Sequence, residues 1–195
     1  MSLTARVIEA AAARGIRIAV AESLTGGLLA DALVQVPGAS RVFSGGIVAY
    51  DTALKHSLLG VDPGLLAQRG PVDPEVARQM ALGVRRACAT PREAGAASEG
   101  PLPAGSPVEA ELGLATTGVA GPDPDPQSGQ LAGTVWIGVS VGDTTRSVEL
   151  HAAGDRSAIR AAAVAAAIEL AAERLGVAPE AGEPGGGTVH DRGKS

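Results

Sequence analysis

The apolar positions change their spacing along the chain, and each change marks an element. Leu3, Val7, Ile8 and Ala11 recur at helical spacing, and Gly15 follows as a stop. Ile16 to Ala21 is a short run rich in Ile and Val, the pattern of a buried strand. Residues 24–36 predict a helix, ended by Pro37-Gly38. VFSGGIVAY, 42–50, predicts a strand whose glycine pair, Gly45-Gly46, marks a bulge or a close backbone approach. Short helices are expected around 51–59 and 63–69. Asp73-Pro74-Glu75 then opens a helix to about Ala89, with Asp73 as cap, Pro74 at the first helical position and Glu75 at the positive end of the dipole. LGLATTG (112–118), TVWIGVSV (134–141) and TRSVELHAAG (145–154) predict three strands, the last two joined at Gly142-Asp143. Asp155 caps an alanine-rich helix to about Leu175. This alternation predicts an α/β fold: a single three-layer α/β/α domain over 1–176, with helices on both faces of a mixed sheet.

Two segments break the pattern. TPREAGAASEGPLPAGSP, 90–107, has no apolar period and is read as a flexible surface insertion. The tail 177–195 carries EPGGG, ends in charged residues and is expected to be disordered. Composition adds limits. Aromatic residues make up 2% of the 195, so Ala, Val, Leu and Ile must build the core. A single Cys88 and three histidines scattered in sequence give neither a disulfide framework nor metal-ligand spacing, so no metal and no cofactor are expected. The net charge of −5, without a basic run, disfavours an extended nucleic-acid surface. The N-terminus lacks the charged region, apolar block and cleavage site of a signal peptide, and the apolar runs are too short or interrupted to span a bilayer. A cytoplasmic protein with no membrane partner is expected.

Candidate chemistry gathers at the turns. AESLTGG, 21–27, places Ser23, Thr25, Gly26 and Gly27 where a strand meets a helix. Free N–H groups at a helix start can bind a phosphate or stabilise an oxyanion. The plainer alternative is that Ser23 caps the helix and the glycines permit tight packing. A nucleophilic serine needs a base. His56 is near in sequence without triad spacing, and Lys55 becomes a base only if burial or nearby positive charge lowers its pKa. Tyr50, the one tyrosine, closes the preceding strand. TTGVAGPD, 116–123, follows another strand end, where α/β sheets bind ligands. Its Thr117, Gly118 and Gly121 can donate or clear space. Arg156, opening the last helix, can reach an anion.

In this order AESLTGG, SGGIVAY followed by Lys55, LLGV with RGPVDPEVARQMALGVR, TGVAGPD, AGTVWIGV and GDR resemble the C-terminal domain of the CinA competence/damage-inducible proteins. That family includes stand-alone nicotinamide-nucleotide amidohydrolases (PncC). The pieces cover roughly residues 3–176. The resemblance implies hydrolysis of nicotinamide mononucleotide (NMN) to nicotinate mononucleotide and ammonia, with Ser23 as nucleophile, Lys55 as base and Tyr50 as its hydroxyl partner. It also implies a homo-oligomer, to which the apolar last helix lends weight. Thr25, Gly26, Gly27, Gly45, Thr117, Gly118, Gly121 and Arg156 are the substrate-binding candidates, and the scheme requires no metal. The alternative function is a non-catalytic nucleotide-binding or competence-linked accessory module. A phosphotransferase lacks support, since no Walker lysine is present. Three features depart from the family pattern: Gly70-Pro71-Val72-Asp73 stands where G-A-V-S is usual, 90–107 is longer, and PDPDPQSGQ replaces a more glycine-rich loop. Larger members have an added N-terminal domain, whose activity is not expected from this sequence.

Overall fold

The computed structural model describes residues 1–91 and 105–178. In chain order the elements are α1 (Leu3–Ala13), β1 (Ile18–Glu22), α2 (Leu28–Val34), a 3₁₀ turn (Ala39–Arg41), β2 (Phe43–Val48), α3 (Thr52–Ser57), α4 (Pro63–Arg69) and α5 (Pro74–Ala87). After these come β3 (Thr90–Pro91), β4 (Pro107–Val108), β5 (Leu112–Gly118), β6 (Thr134–Val141), β7 (Thr144–His151) and α6 (Arg156–Arg174). Five strands form one mixed sheet in the order β2-β1-β5-β6-β7. β1 runs parallel to both β2 and β5, and β5, β6 and β7 pair antiparallel.

The pleat sorts β1 between two cores. Ile18 and Val20 join Leu112, Leu114 and Ile137 under α1, α2 and α6. Ala19 and Ala21 join Ala115 under α5, with Val76, Met80 and Val84. The α5 face of the sheet is built from small residues because the helix backbone lies directly on it. A Cβ on Gly113 would stand 2.0 Å from the Ala81 carbonyl oxygen, and one on Gly138 would stand 2.1 Å from that of Ala77. The apolar positions of α6, among them Ile159, Ala163, Ala167 and Ala171, pack into the chain's own core.

The helix expected from residue 24 begins at Leu28, because Gly26 and Gly27 take φ of +56° and +101°, which the helix cannot continue through. The glycine pair in β2 does coincide with an irregularity: Ile18 faces Phe43 and Ala19 faces Gly45, so Ser44 is skipped. Gly46 is a close approach, with Val20 Cγ2 2.8 Å from where its Cβ would be. Asp73 caps α5 by accepting from the Glu75 and Val76 N–H groups, and Asp155 caps α6 by accepting from Ala158. Residues 92–104 of the expected insertion, and the tail from residue 179, lie outside the described residues. The flanks of the insertion are ordered as a ladder, Thr90 opposite Val108 and Pro91 opposite Pro107. No helix among the described residues is long and apolar enough to cross a membrane.

Candidate active site

β1 sits between two parallel neighbours. Its chain leaves through α2 on one face of the sheet, while β2 returns to β5 through α5 on the other. Such a switch opens a crevice beyond the carboxyl ends of the strands. A cavity of about 410 Å³ lies there. Ser23 and Leu24 reach it from the end of β1, and Tyr50, Thr52 and Lys55 from beyond β2. Thr117, Gly118 and Ala120 reach it from the end of β5, Pro71 and Val72 from the turn before α5, Asp125 and Pro126 from the β5–β6 loop, and Arg156 from α6.

Lys55 is 1% exposed, on a six-residue helix whose start Asp51 caps. Its Nζ lies 3.0 Å from Ser23 Oγ and donates to the Ala49 carbonyl at 2.8 Å. Burial lowers its pKa from the ordinary 10.5 to about 8, against a smaller opposing pull from Asp51. A neutral amine has a lone pair, so across this contact the serine hydroxyl can donate to Nζ. His56 points elsewhere: its Nδ1 contacts the Val61 carbonyl at 2.8 Å.

The turn carrying Ser23 is gripped from two sides. Glu22 is a carboxylate only 1% exposed. Its Oε2 accepts from the N–H groups of Gly27 (2.9 Å) and Leu29 (3.0 Å), and its Oε1 from that of Ala30 (2.9 Å). The chain's own acid therefore satisfies the donors at the start of α2. From α6, Arg160 donates through Nε to the Leu24 carbonyl at 2.9 Å and through Nη2 to the Thr25 carbonyl at 2.7 Å. The Ser23 N–H is tied to the Thr116 carbonyl at 3.0 Å.

These contacts correct several expectations. Ser23 is not the cap of α2; Gly27 holds that position, and Ser23 is thereby left facing the cavity. The Gly27 N–H, expected to be open to a ligand, is taken by Glu22. Thr25 is fully buried, with its hydroxyl 2.7 Å from that of Thr116, and does not line the cavity. Gly26 lies beside the Arg160 guanidinium, and Gly45 packs against Cys88 Sγ; neither reaches the cavity. Gly121 contributes only its carbonyl, which accepts from Arg156 Nη1 at 3.0 Å. Thr117 and Gly118 do line the cavity, with the Thr117 hydroxyl donating to the Pro71 carbonyl at 2.7 Å. Tyr50 does not bridge Ser23 and Lys55. It is 61% exposed at the rim, and Arg156 Nη2 donates to its hydroxyl at 2.9 Å.

Glu22, Arg160 and Asp125 are the residues that reading the sequence missed. Glu22 stands inside AESLTGG, an acid just before a glycine-broken helix start. Arg160 follows Arg156 by four residues, the spacing that puts both on one helix face. No group of three or more His, Cys, Asp or Glu side chains that could hold a metal ion occurs among the described residues.

Known proteins share this arrangement of elements. A CinA superfamily protein from Klebsiella pneumoniae superposes with a TM-score of 0.75 at 29% identity, covering 89% of this chain and 96% of that one. CinA-like proteins from Frankia casuarinae and an Anaeromyxobacter strain are 46% and 40% identical over 168 residues each, 85% and 86% of this chain. The matched region is 33% and 36% of their length, so the chain spans about a third of those relatives. The family model of the CinA C-terminal domain matches residues 1–100 and 103–175, which include every cavity-lining side chain named above. The chain belongs to the CinA C-terminal domain family.

Proposed function

We propose that this chain hydrolyses the carboxamide of nicotinamide mononucleotide to nicotinate mononucleotide and ammonia, with Ser23 as nucleophile and Lys55 as base. One observation carries the reading: a buried lysine with its pKa lowered to about 8 stands 3.0 Å from a serine hydroxyl, and both side chains line one cavity. An amide is a poor electrophile and a serine hydroxyl a poor nucleophile, so the reaction needs a neutral base within hydrogen-bond reach.

In the proposed sequence neutral Lys55 takes the Ser23 proton as Oγ attacks the amide carbon. The tetrahedral intermediate collapses with cleavage of the C–N bond, and the Lys55 ammonium hands its proton to the leaving nitrogen, which departs as ammonia. Water, deprotonated by the same amine, then cleaves the Ser23 ester and releases the acid. The grip of Glu22 and Arg160 on the turn keeps Oγ in place through both steps, which is where orientation gains rate. In this scheme Arg156, which lines the cavity and donates to the Tyr50 hydroxyl, meets the substrate's phosphate. Ammonia release from NMN, compared with NAD, nicotinamide and nicotinamide riboside, tests the reading. NMN should be the preferred substrate, and absence of ammonia from all four would sink the proposal.

A further inference from the structure

The cavity carries one carboxylate that the deamidation scheme does not use. Asp125 lines it together with Lys55 and Arg156. Its Oδ2 accepts from the Ser128 N–H at 2.7 Å and from the Ser128 hydroxyl at 2.6 Å, while its Oδ1 has no partner among the described residues. The loop that presents it is tied down. The Asp125 N–H donates to the Gln130 carbonyl at 2.9 Å, and the Gly129 N–H donates to the Asp125 carbonyl at 2.8 Å. The Gln127 amide donates to the Leu66 carbonyl at 2.8 Å, and the Gln130 amide donates to the Val72 carbonyl. The carboxylate is thus a built part of the cavity wall.

A fixed carboxylate in the cavity of an enzyme for a phosphorylated substrate is unfavourable by itself, because like charges repel and a cavity screens them poorly. It becomes favourable when the substrate carries its own cation. The ring of an N-ribosylated pyridine does so: its nitrogen is quaternary, and the positive charge spreads over the ring that bears the carboxamide. A carboxamide held at Ser23 keeps that ring inside the same cavity.

We infer that Asp125 is a specificity-determining residue, pairing with the cationic ring and selecting pyridinium carboxamides over amides whose ring is neutral. The inference rests on the deamidation reading for the identity of the reacting group, but not on turnover. It is tested by binding to the Ser23→Ala chain, using NMN and its 1,4-dihydro form. The two ligands share carboxamide, ribose and phosphate, and only the first has a charged ring. Calorimetry should show NMN bound about tenfold or more tighter, and Asp125→Asn in the same background should reduce that preference to within about twofold. Asparagine keeps an oxygen for the Ser128 bonds, and an unchanged melting temperature checks that the loop is intact. A preference that survives Asp125→Asn, no preference in the parent, or no binding of NMN overturns the inference. The two readings fail separately. A Ser23→Ala chain with this Asp125-dependent preference, beside a wild type that releases no ammonia, refutes deamidation alone. Ammonia release by the wild type with an Asp125-independent ratio refutes the role of Asp125 alone.

Discussion

Neutralising Asp51 should move the acid limb of the pH–rate profile to lower pH. Only the uncharged Lys55 amine can take the Ser23 proton, so the rate follows its neutral fraction. With the group lowered to about 8, that fraction is about one in ten at pH 7 and one half at about pH 8. An exposed lysine at the ordinary 10.5 would supply about one molecule in three thousand at pH 7, so burial raises the supply of base about 300-fold. Wild-type kcat/KM should therefore rise nearly tenfold per unit below about pH 8 and flatten above it. Burial lowers the pKa by disfavouring the ammonium, and the Asp51 carboxylate raises it by favouring the ammonium. Asp51→Asn removes the second cause and leaves the first, so the pKa falls further. The substitution isolates charge, since Asp51 caps α3 by accepting from the Ala53 N–H at 2.8 Å and asparagine caps about as well. Ammonia release from NMN, followed from about pH 5.5 to about 9.5, reads the shift; each half unit is about a threefold gain on the limb, with the plateau unchanged. Lys55→Arg, whose guanidinium stays protonated, should lose the limb and the activity together. An Asp51→Asn limb that stays in place or moves to higher pH refutes the assignment of Lys55 as base.

Ser23→Ala should lower kcat at least about a thousandfold while leaving the denaturation midpoint near wild type, because among the described residues the hydroxyl's one hydrogen bond is to Lys55; retained turnover would exclude the covalent route. Glu22→Gln should cost about 2–4 kcal/mol in urea unfolding, since the amide turns a donor toward one of three N–H groups and removes the charge facing the start of α2; a loss below about 1 kcal/mol would mean that the turn does not depend on this carboxylate. Gly138→Ala should cost about 3 kcal/mol or more, because its Cβ would overlap the Ala77 carbonyl and push α5 off the sheet; a variant as stable as wild type would show that α5 can shift freely. Activity on NMN should survive exhaustive chelation, as the proposed base and nucleophile are both side chains; loss with EDTA and recovery with one divalent ion would refute that scheme.

Local chemistry sufficed for most of the fold. The Asp73-Pro74-Glu75 start, the Asp155 cap and the strand periods are decided within a few residues, so α5, α6, β5, β6 and β7 were legible from spacing and capping alone. The family pieces likewise pointed to Ser23, Lys55 and the loop after β5, which the sheet topology brings to one crevice. What the sequence alone left undecided depends on contacts between distant segments. Whether Ser23 caps a helix or faces a cavity turns on Glu22 reaching the α2 donors and on Arg160 holding carbonyls 135 and 136 residues away. Whether Lys55 is an exposed cation or a buried amine of lowered pKa turns on its 1% exposure, because desolvation, not residue type, moves its pKa. Glycine carries no side chain to reveal its task. Gly45, Gly26 and Gly121 therefore read alike as ligand approaches, and only the packed structure separates a Cys88 contact, a turn beside Arg160 and a carbonyl for Arg156.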